Sequence, residues 1–90
     1  MKARVYLLID VVEGRARQVL MALRGQPGIV LADRVEGPPD IVVIAEAQNR
    51  QSLANLTVQA IASIENLTNN IQFLPVCGGR KLRKPVNKAV

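Results

Sequence analysis

Ile29-Val30-Leu31-Ala32-Asp33-Arg34-Val35, then Glu36-Gly37-Pro38-Pro39-Asp40, then Ile41-Val42-Val43-Ile44-Ala45: the reading of these 17 consecutive residues decides the fold. The outer segments are rich in β-branched side chains and the middle one consists largely of turn residues. The stretch therefore predicts two strands joined by a stiff hairpin connection. The second of these strands is apolar at every position, as in a strand covered on both faces. On the N-terminal side, Gly25-Gln26-Pro27-Gly28 stops a helix, glycine permitting a left-handed cap and proline refusing to continue the ladder. That helix spans residues 15–24, with Ala16, Val19, Leu20 and Leu23 on its apolar stripe and Arg15, Arg17, Gln18 and Arg24 opposite. Before it, past Glu13-Gly14, residues 3–12 alternate as a strand, with Ala3, Val5, Leu7, Ile9 and Val11 on one face. On the C-terminal side, Asn49 is placed to cap a second helix carrying Leu53, Leu56, Thr57, Ala60, Ile61 and Ile64. Residues 68–76 form the last strand. The order is β-α-β-β-α-β, which predicts an α+β, ferredoxin-like domain with an antiparallel sheet and both helices on one face.

With two helices on one face, the other face of the sheet lies open. The all-apolar Ile41–Ala45 run points side chains both ways, and Tyr6, Leu8 and Val12 add to the uncovered side. A patch of that kind is unusual on a monomer, and a chain of 90 residues has a poor ratio of core to surface. The expectation is a homodimer whose sheets pack face to face, a dimeric α/β barrel.

Composition narrows the chemistry. There is no histidine and one cysteine, so histidine acid–base catalysis, histidine metal ligation, an intrachain disulfide and a Cys-rich zinc site are all excluded. No apolar run approaches the roughly 20 residues that cross a bilayer. Lys2, Arg4 and Asp10 interrupt what a signal peptide needs as an apolar stretch. A cytoplasmic protein without a membrane partner is expected. The net charge of +5 is unevenly placed. Up to Gly79 the basic and acidic residues balance; Arg80, Lys81, Arg83, Lys84 and Lys88 then follow with no acid. The chain is accordingly divided into a folded domain, residues 1–77, and a basic C-terminal tail, residues 78–90. Arg80, Lys81, Arg83 and Lys84 form a compact cluster suited to salt-sensitive contact with phosphates of nucleic acid; a solvated terminus that contacts nothing is the alternative. Cys77 has no partner residue near it in sequence.

Val5-Tyr6-Leu7-Leu8-Ile9-Asp10 with Glu13-Gly14, Val19-Leu20 with Leu23, Pro27-Gly28-Ile29-Val30, Val35-Glu36-Gly37-Pro38-Pro39-Asp40-Ile41-Val42 and the run from Leu53 to Glu65 resemble, in order and spacing, the Lrp/AsnC-type effector domain, or RAM (regulation of amino-acid metabolism) module. The likeness spans residues 3–76. Its most specific piece is Gly37-x-x-Asp40 between two apolar strands. Met1 leads directly into the first strand, so the resemblance implies a stand-alone module lacking the winged helix-turn-helix that binds DNA. It further implies dimers that assemble into octamers or similar rings, an amino acid or related small ligand in clefts between dimers, no cofactor, and partnership with a full-length Lrp/AsnC-type regulator. Contact with DNA would then run through that partner or the tail. Carried over by position, the ligand-binding residues are Gly37, Pro38, Pro39 and Asp40, with Asn70 and Gln72 on the last strand. Glycine lets the backbone approach a ligand, and Asp40 can accept hydrogen bonds from an ammonium group or brace the hairpin. Pro39 stands where the family often has Tyr, Phe or Asn, and Asn70 and Gln72 stand where it often has threonines. The same four turn residues also suit a plain stiff connection.

Three other functions share this topology. An RNA-recognition module needs aromatic residues on its central strands, and residues 41–47 have none. A small dimeric α+β barrel enzyme needs acid, base or nucleophile in the sheet cavity; Tyr6, Asn70, Arg4 and Asp10 offer no nucleophile–base pair, so no enzyme is expected. An ACT-type amino-acid sensor usually carries Asp-x-Pro-Gly in its first turn, where this chain has Val12-Glu13-Gly14.

Overall fold

A computed structural model describes residues 2–76. The elements are β1 (Ala3–Val11), α1 (Ala16–Arg24), β2 (Ile29–Arg34), β3 (Ile41–Ala47), α2 (Arg50–Ala62), a 3-10 turn (Glu65–Leu67) and β4 (Thr68–Val76). The strands form one antiparallel sheet in the order β2-β3-β1-β4. With two helices against it, this is the expected ferredoxin-like α+β fold. The boundary at residue 77, Cys77 and the cluster Arg80, Lys81, Arg83 and Lys84 lie outside the described residues.

Parity in the strands decides the core. Val5, Leu7 and Ile9 of β1 and Ile41, Val43 and Ala45 of β3 are buried, as are Val19, Leu20 and Leu23 of α1 and Leu53 and Ala60 of α2. Because side chains alternate across a strand, Leu7 pairing with Val43 and Ile9 with Ile41 sets this whole group on the helix-covered face. A single-residue slip would turn it toward water. The α1 stripe inferred from periodicity is buried as read, with Ala16 partly so.

Three local readings are refined. β3 runs on to Glu46 and Ala47, because these residues pair with Arg4 and Ala3 of β1. β1 stops at Val11, where the β1–β4 register shifts, and the Val12 N–H is taken by the Leu67 carbonyl at 2.9 Å. The left-handed glycine of the α1 exit is Gly28 (φ +84°) and not Gly25, which keeps right-handed angles (φ −87°, ψ −4°). The reason lies in packing: a Cβ on Gly28 would sit 2.5 Å from Leu56 Cδ2, so the turn into β2 is made at the point where α2 presses on the chain. Asn49 caps α2 as expected, its side-chain oxygen accepting from the Ser52 N–H at 2.8 Å.

Candidate functional site

The face of the sheet away from the helices holds the other parity. Tyr6 lies opposite Ile44 on β3 and Leu74 on β4, and Ile44 lies opposite Leu31 on β2. An apolar row, Leu31-Ile44-Tyr6-Leu74, thus crosses all four strands, about 14 Å over three inter-strand gaps. Beside it run Val42 and Leu8, also paired. Val42, Ile44, Tyr6 and Leu8 are half-buried, while Leu31 and Leu74 are exposed at 39% and 49%. The all-apolar β3 run is therefore covered on one face by the helices and left open on the other within a single chain.

One end of this open face is polar. Gln72 pairs with Leu8, and Asn70 pairs with Asp10. Ile9 pairs with Ile41, and the Asp40 N–H donates to the Ile9 carbonyl at 2.9 Å. Asp40 directly precedes the Ile41 that pairs with Ile9, so the hairpin ends next to the end of β1 where Asp10 pairs with Asn70 of β4. Asp40 and Asp10 are half-buried; Asn70 and Gln72 are exposed.

The hairpin is held to this end by Asp40. Its Oδ2 accepts from the Val11 N–H at 3.0 Å, satisfying a donor at the place where the β1–β4 register shifts. Its carbonyl accepts from the Val35 N–H at 2.9 Å and closes the turn. Its Oδ1 faces Gly37: a Cβ there would lie 2.6 Å from that oxygen. The Gly37-x-x-Asp40 spacing thus has a structural reason, since a glycine is needed where the aspartate folds back on its own hairpin. Pro38 and Pro39 carry no N–H. The Glu36 and Gly37 N–H groups make no backbone hydrogen bond among the described residues. Pro38 is exposed and Pro39 half-buried.

The opposite end carries an ion pair. Arg4 and Glu46 face each other across β1 and β3. Arg4 Nε donates to Glu46 Oε2 at 2.7 Å, with Nη2 on the same oxygen, and Lys2 Nζ stands 3.9 Å from Oε1. The hydrogen bonds and negative charge of Glu46 hold the Arg4 guanidinium above its ordinary pKa.

Asn70 and Gln72 thus lie toward one end of the sheet, next to the hairpin in which Gly37 faces the Asp40 carboxylate. Asp10 belongs with them at this end of β1. The signal was its even position in β1, the parity of Tyr6 and Leu8, but only the strand order brings the Asp40 hairpin alongside. Leu31 and Leu74 likewise join the apolar row only through cross-strand register. Among the described residues no group of three His, Cys, Asp or Glu side chains is placed to hold a metal, and no helix is long and apolar enough to cross a membrane.

No protein-family model matches the chain, and no curated protein matches it. Solved structures do. Protein TTHA0845 from Thermus thermophilus superposes with a TM-score of 0.75 at 21% identity, over 91% of this chain and 99% of that one. A transcriptional regulatory protein of Pyrococcus furiosus, a member of the AsnC family, gives 0.64 at 21% identity, over 87% of this chain and 54% of its own. A transcriptional regulator from Neisseria meningitidis, solved in complex with L-Met, gives 0.67 at 13% identity, over 89% of this chain and 53% of its own. This chain spans about half the length of the two regulators. A Chloroflexus aurantiacus protein assigned as an antibiotic biosynthesis monooxygenase shares the fold less closely, at a TM-score of 0.55 and 14% identity. At these identities the likeness is one of fold, and the fold is Lrp/AsnC-like.

Proposed function

We propose that this chain is a small-molecule-sensing and oligomerisation module of transcriptional regulation, that its ligand is an amino acid or a close relative, and that it is not an enzyme. The observation that carries the reading is the division of the open sheet face into an apolar band and a polar end. The band, from Leu31 through Ile44 and Tyr6 to Leu74, suits a second copy of the same sheet, because removing apolar surface from water stabilises by about 25 cal/mol per Å². The polar end offers what an amino acid needs. Asp10 supplies a carboxylate for its ammonium group, Asn70 and Gln72 supply donors and acceptors, and the Glu36 and Gly37 N–H groups suit its carboxylate. Asp40 holds the hairpin in place beside them. Beyond the dimer, a ligand seated at this end between neighbouring dimers favours the ring that contains the seat, so binding shifts the population of assemblies. A full-length Lrp/AsnC-type regulator is the proposed partner through mixed assembly, in the cytoplasm, with DNA contact through that partner or through Arg80, Lys81, Arg83 and Lys84.

A thermal-shift screen across the amino acids tests the reading. One or a few amino acids are expected to raise the melting temperature at millimolar concentration, and Asp10→Asn with Asn70→Ala is expected to abolish the rise. No shift with any amino acid, or a shift untouched by that double variant, removes the site. Asp40→Ala alone is a poor test, because it also strips the partner from the Val11 N–H.

A further inference from the structure

On the far side of the molecule from the open face, α1 and β2 form a groove that the sensing role leaves unused. Arg17, Leu20, Met21 and Arg24 recur at the i, i+3, i+4, i+7 spacing of one helix face, and Arg34 reaches it from the end of β2. Together they line an open groove of about 730 Å³. No acidic side chain lines it. Asp33, next to Arg34 in the chain, is engaged by Arg24: its Oδ1 accepts from Arg24 Nη2 at 3.1 Å. Arg24 is fixed further by two hydrogen bonds to the Ala32 carbonyl, from Nε at 3.0 Å and Nη2 at 2.7 Å. Its fork is therefore pre-oriented, with Nη1 making no hydrogen bond among the described residues. Arg17 and Arg34 have no ion-pair partner among the described residues. The floor is apolar, with Leu20 buried and Met21 69% exposed, the most exposed large hydrophobic side chain on the described surface.

Arg17 and Arg34, with no counter-charge among the described residues, line the groove with an Arg24 that shares Asp33 and with an exposed thioether, and these groups set the ligand's chemistry. One carboxylate leaves one of the two unpaired charges unmet, whereas a di- or triphosphate answers both and can also engage the unused Nη1 of Arg24, and the planar fork matches phosphate oxygens bidentately. The polarizable Met21 side chain is suited to the face of an aromatic ring. We propose that the Arg17–Arg24–Arg34 groove binds a small polyphosphate ester of the nucleotide class, its phosphates on the arginines and its base against Leu20 and Met21.

The test uses the full chain and isothermal titration with ATP, ADP, inorganic pyrophosphate, adenosine and citrate. ATP and ADP are expected to bind more tightly than pyrophosphate, and adenosine and citrate weakly. Arg17→Gln with Arg34→Gln is expected to weaken ATP at least about tenfold, the scale of one lost charged contact. Met21→Ser is expected to weaken ATP while leaving pyrophosphate unchanged. Neutralising the tail (Arg80, Lys81, Arg83 and Lys84 each to Gln) is expected to leave ATP affinity within about twofold. Binding that follows the tail variant and ignores the groove variant overturns the proposal. So does citrate matching ATP, or a single-stranded oligonucleotide that binds more tightly than ATP through the same arginines. The groove variants leave the amino-acid response of the open face intact, so the two readings fail separately.

Discussion

Asp40 and Gly28 show how a single position can be constrained from far along the chain. Asp40 lies at a hairpin end and reads as a turn residue, yet its carboxylate serves a backbone N–H on β1, 29 positions earlier. Gly28 reads as part of a helix stop, yet α2 is what requires it. Gly14 and Gly28 both have positive φ, +82° and +84°, but a Cβ on Gly14 meets nothing within 4 Å, whereas one on Gly28 also lies 3.0 Å from the Glu46 carbonyl oxygen. Gly14→Ala should therefore cost only the left-handed backbone term, about 1–2 kcal/mol. Gly28→Ala should add the overpacking term of about 1–3 kcal/mol. Chemical denaturation of the two variants checks the difference; equal losses would show that Leu56 moves aside freely. A glycine's tolerance for positive φ is visible in sequence, while whether a side chain there would also clash is settled by what packs against it.

At the scale of elements, the sheet has two edges, β2 and β4, and the chain treats them differently. An edge strand presents unpaired backbone groups that invite further pairing. On β2 the Ala32 carbonyl is taken by Arg24 from the end of α1, with Asp33 holding the same side chain. Arg24→Ala should lower stability by about 1 kcal/mol through the lost hydrogen bonds, while Arg17→Ala, whose side chain has no such partner, should stay within about 0.5 kcal/mol of the parent. Midpoints of urea denaturation measure both, and matched values would remove any clasping role for Arg24. The sequence shows Arg24 as a basic residue in the last turn of a helix, a position explained by the helix dipole alone. That it reaches sideways to the neighbouring strand follows from the angle at which α1 meets β2. The elements themselves were legible, down to the bounds of β4 and the Asn49 cap, because alternation, helical spacing and capping are local signals.

For the whole molecule, the question is what covers the open face. Ile44 and Tyr6 sit at the centre of the apolar row, half-buried in a single chain. A face-to-face dimer predicts that the parent sediments as a dimer at micromolar concentration. It also predicts that Ile44→Asp sediments as a monomer with an unchanged far-ultraviolet circular dichroism spectrum, since its side chain points away from the helix-covered core. A parent that stays monomeric at tens of micromolar would leave the sheet face to some other partner. Charge at this scale divides as well. The net +5 lies wholly beyond Gly79, yet the folded part is neutral only in sum: Arg17, Arg24 and Arg34 gather at one groove while Asp10 and the Asp40 hairpin lie at one end of the sheet.

By itself the sequence determined the order and kind of the elements, which residues form the core, the absence of histidine chemistry and the likeness to an Lrp/AsnC-type module. The elements, core and missing histidine chemistry follow from short-range periodicity and composition, and the likeness from the order and spacing of motifs such as Gly37-x-x-Asp40; none of these needs knowledge of what lies next to what. Only the tertiary structure decided that the Asp40 hairpin end lies next to the strand end carrying Asp10 and Asn70, that Leu31 and Leu74 complete an apolar band, and that Arg17, Arg24 and Arg34 line one groove with Met21. Each of these depends on strand order, register or helix placement, and residues far apart in the chain become neighbours only when the sheet closes.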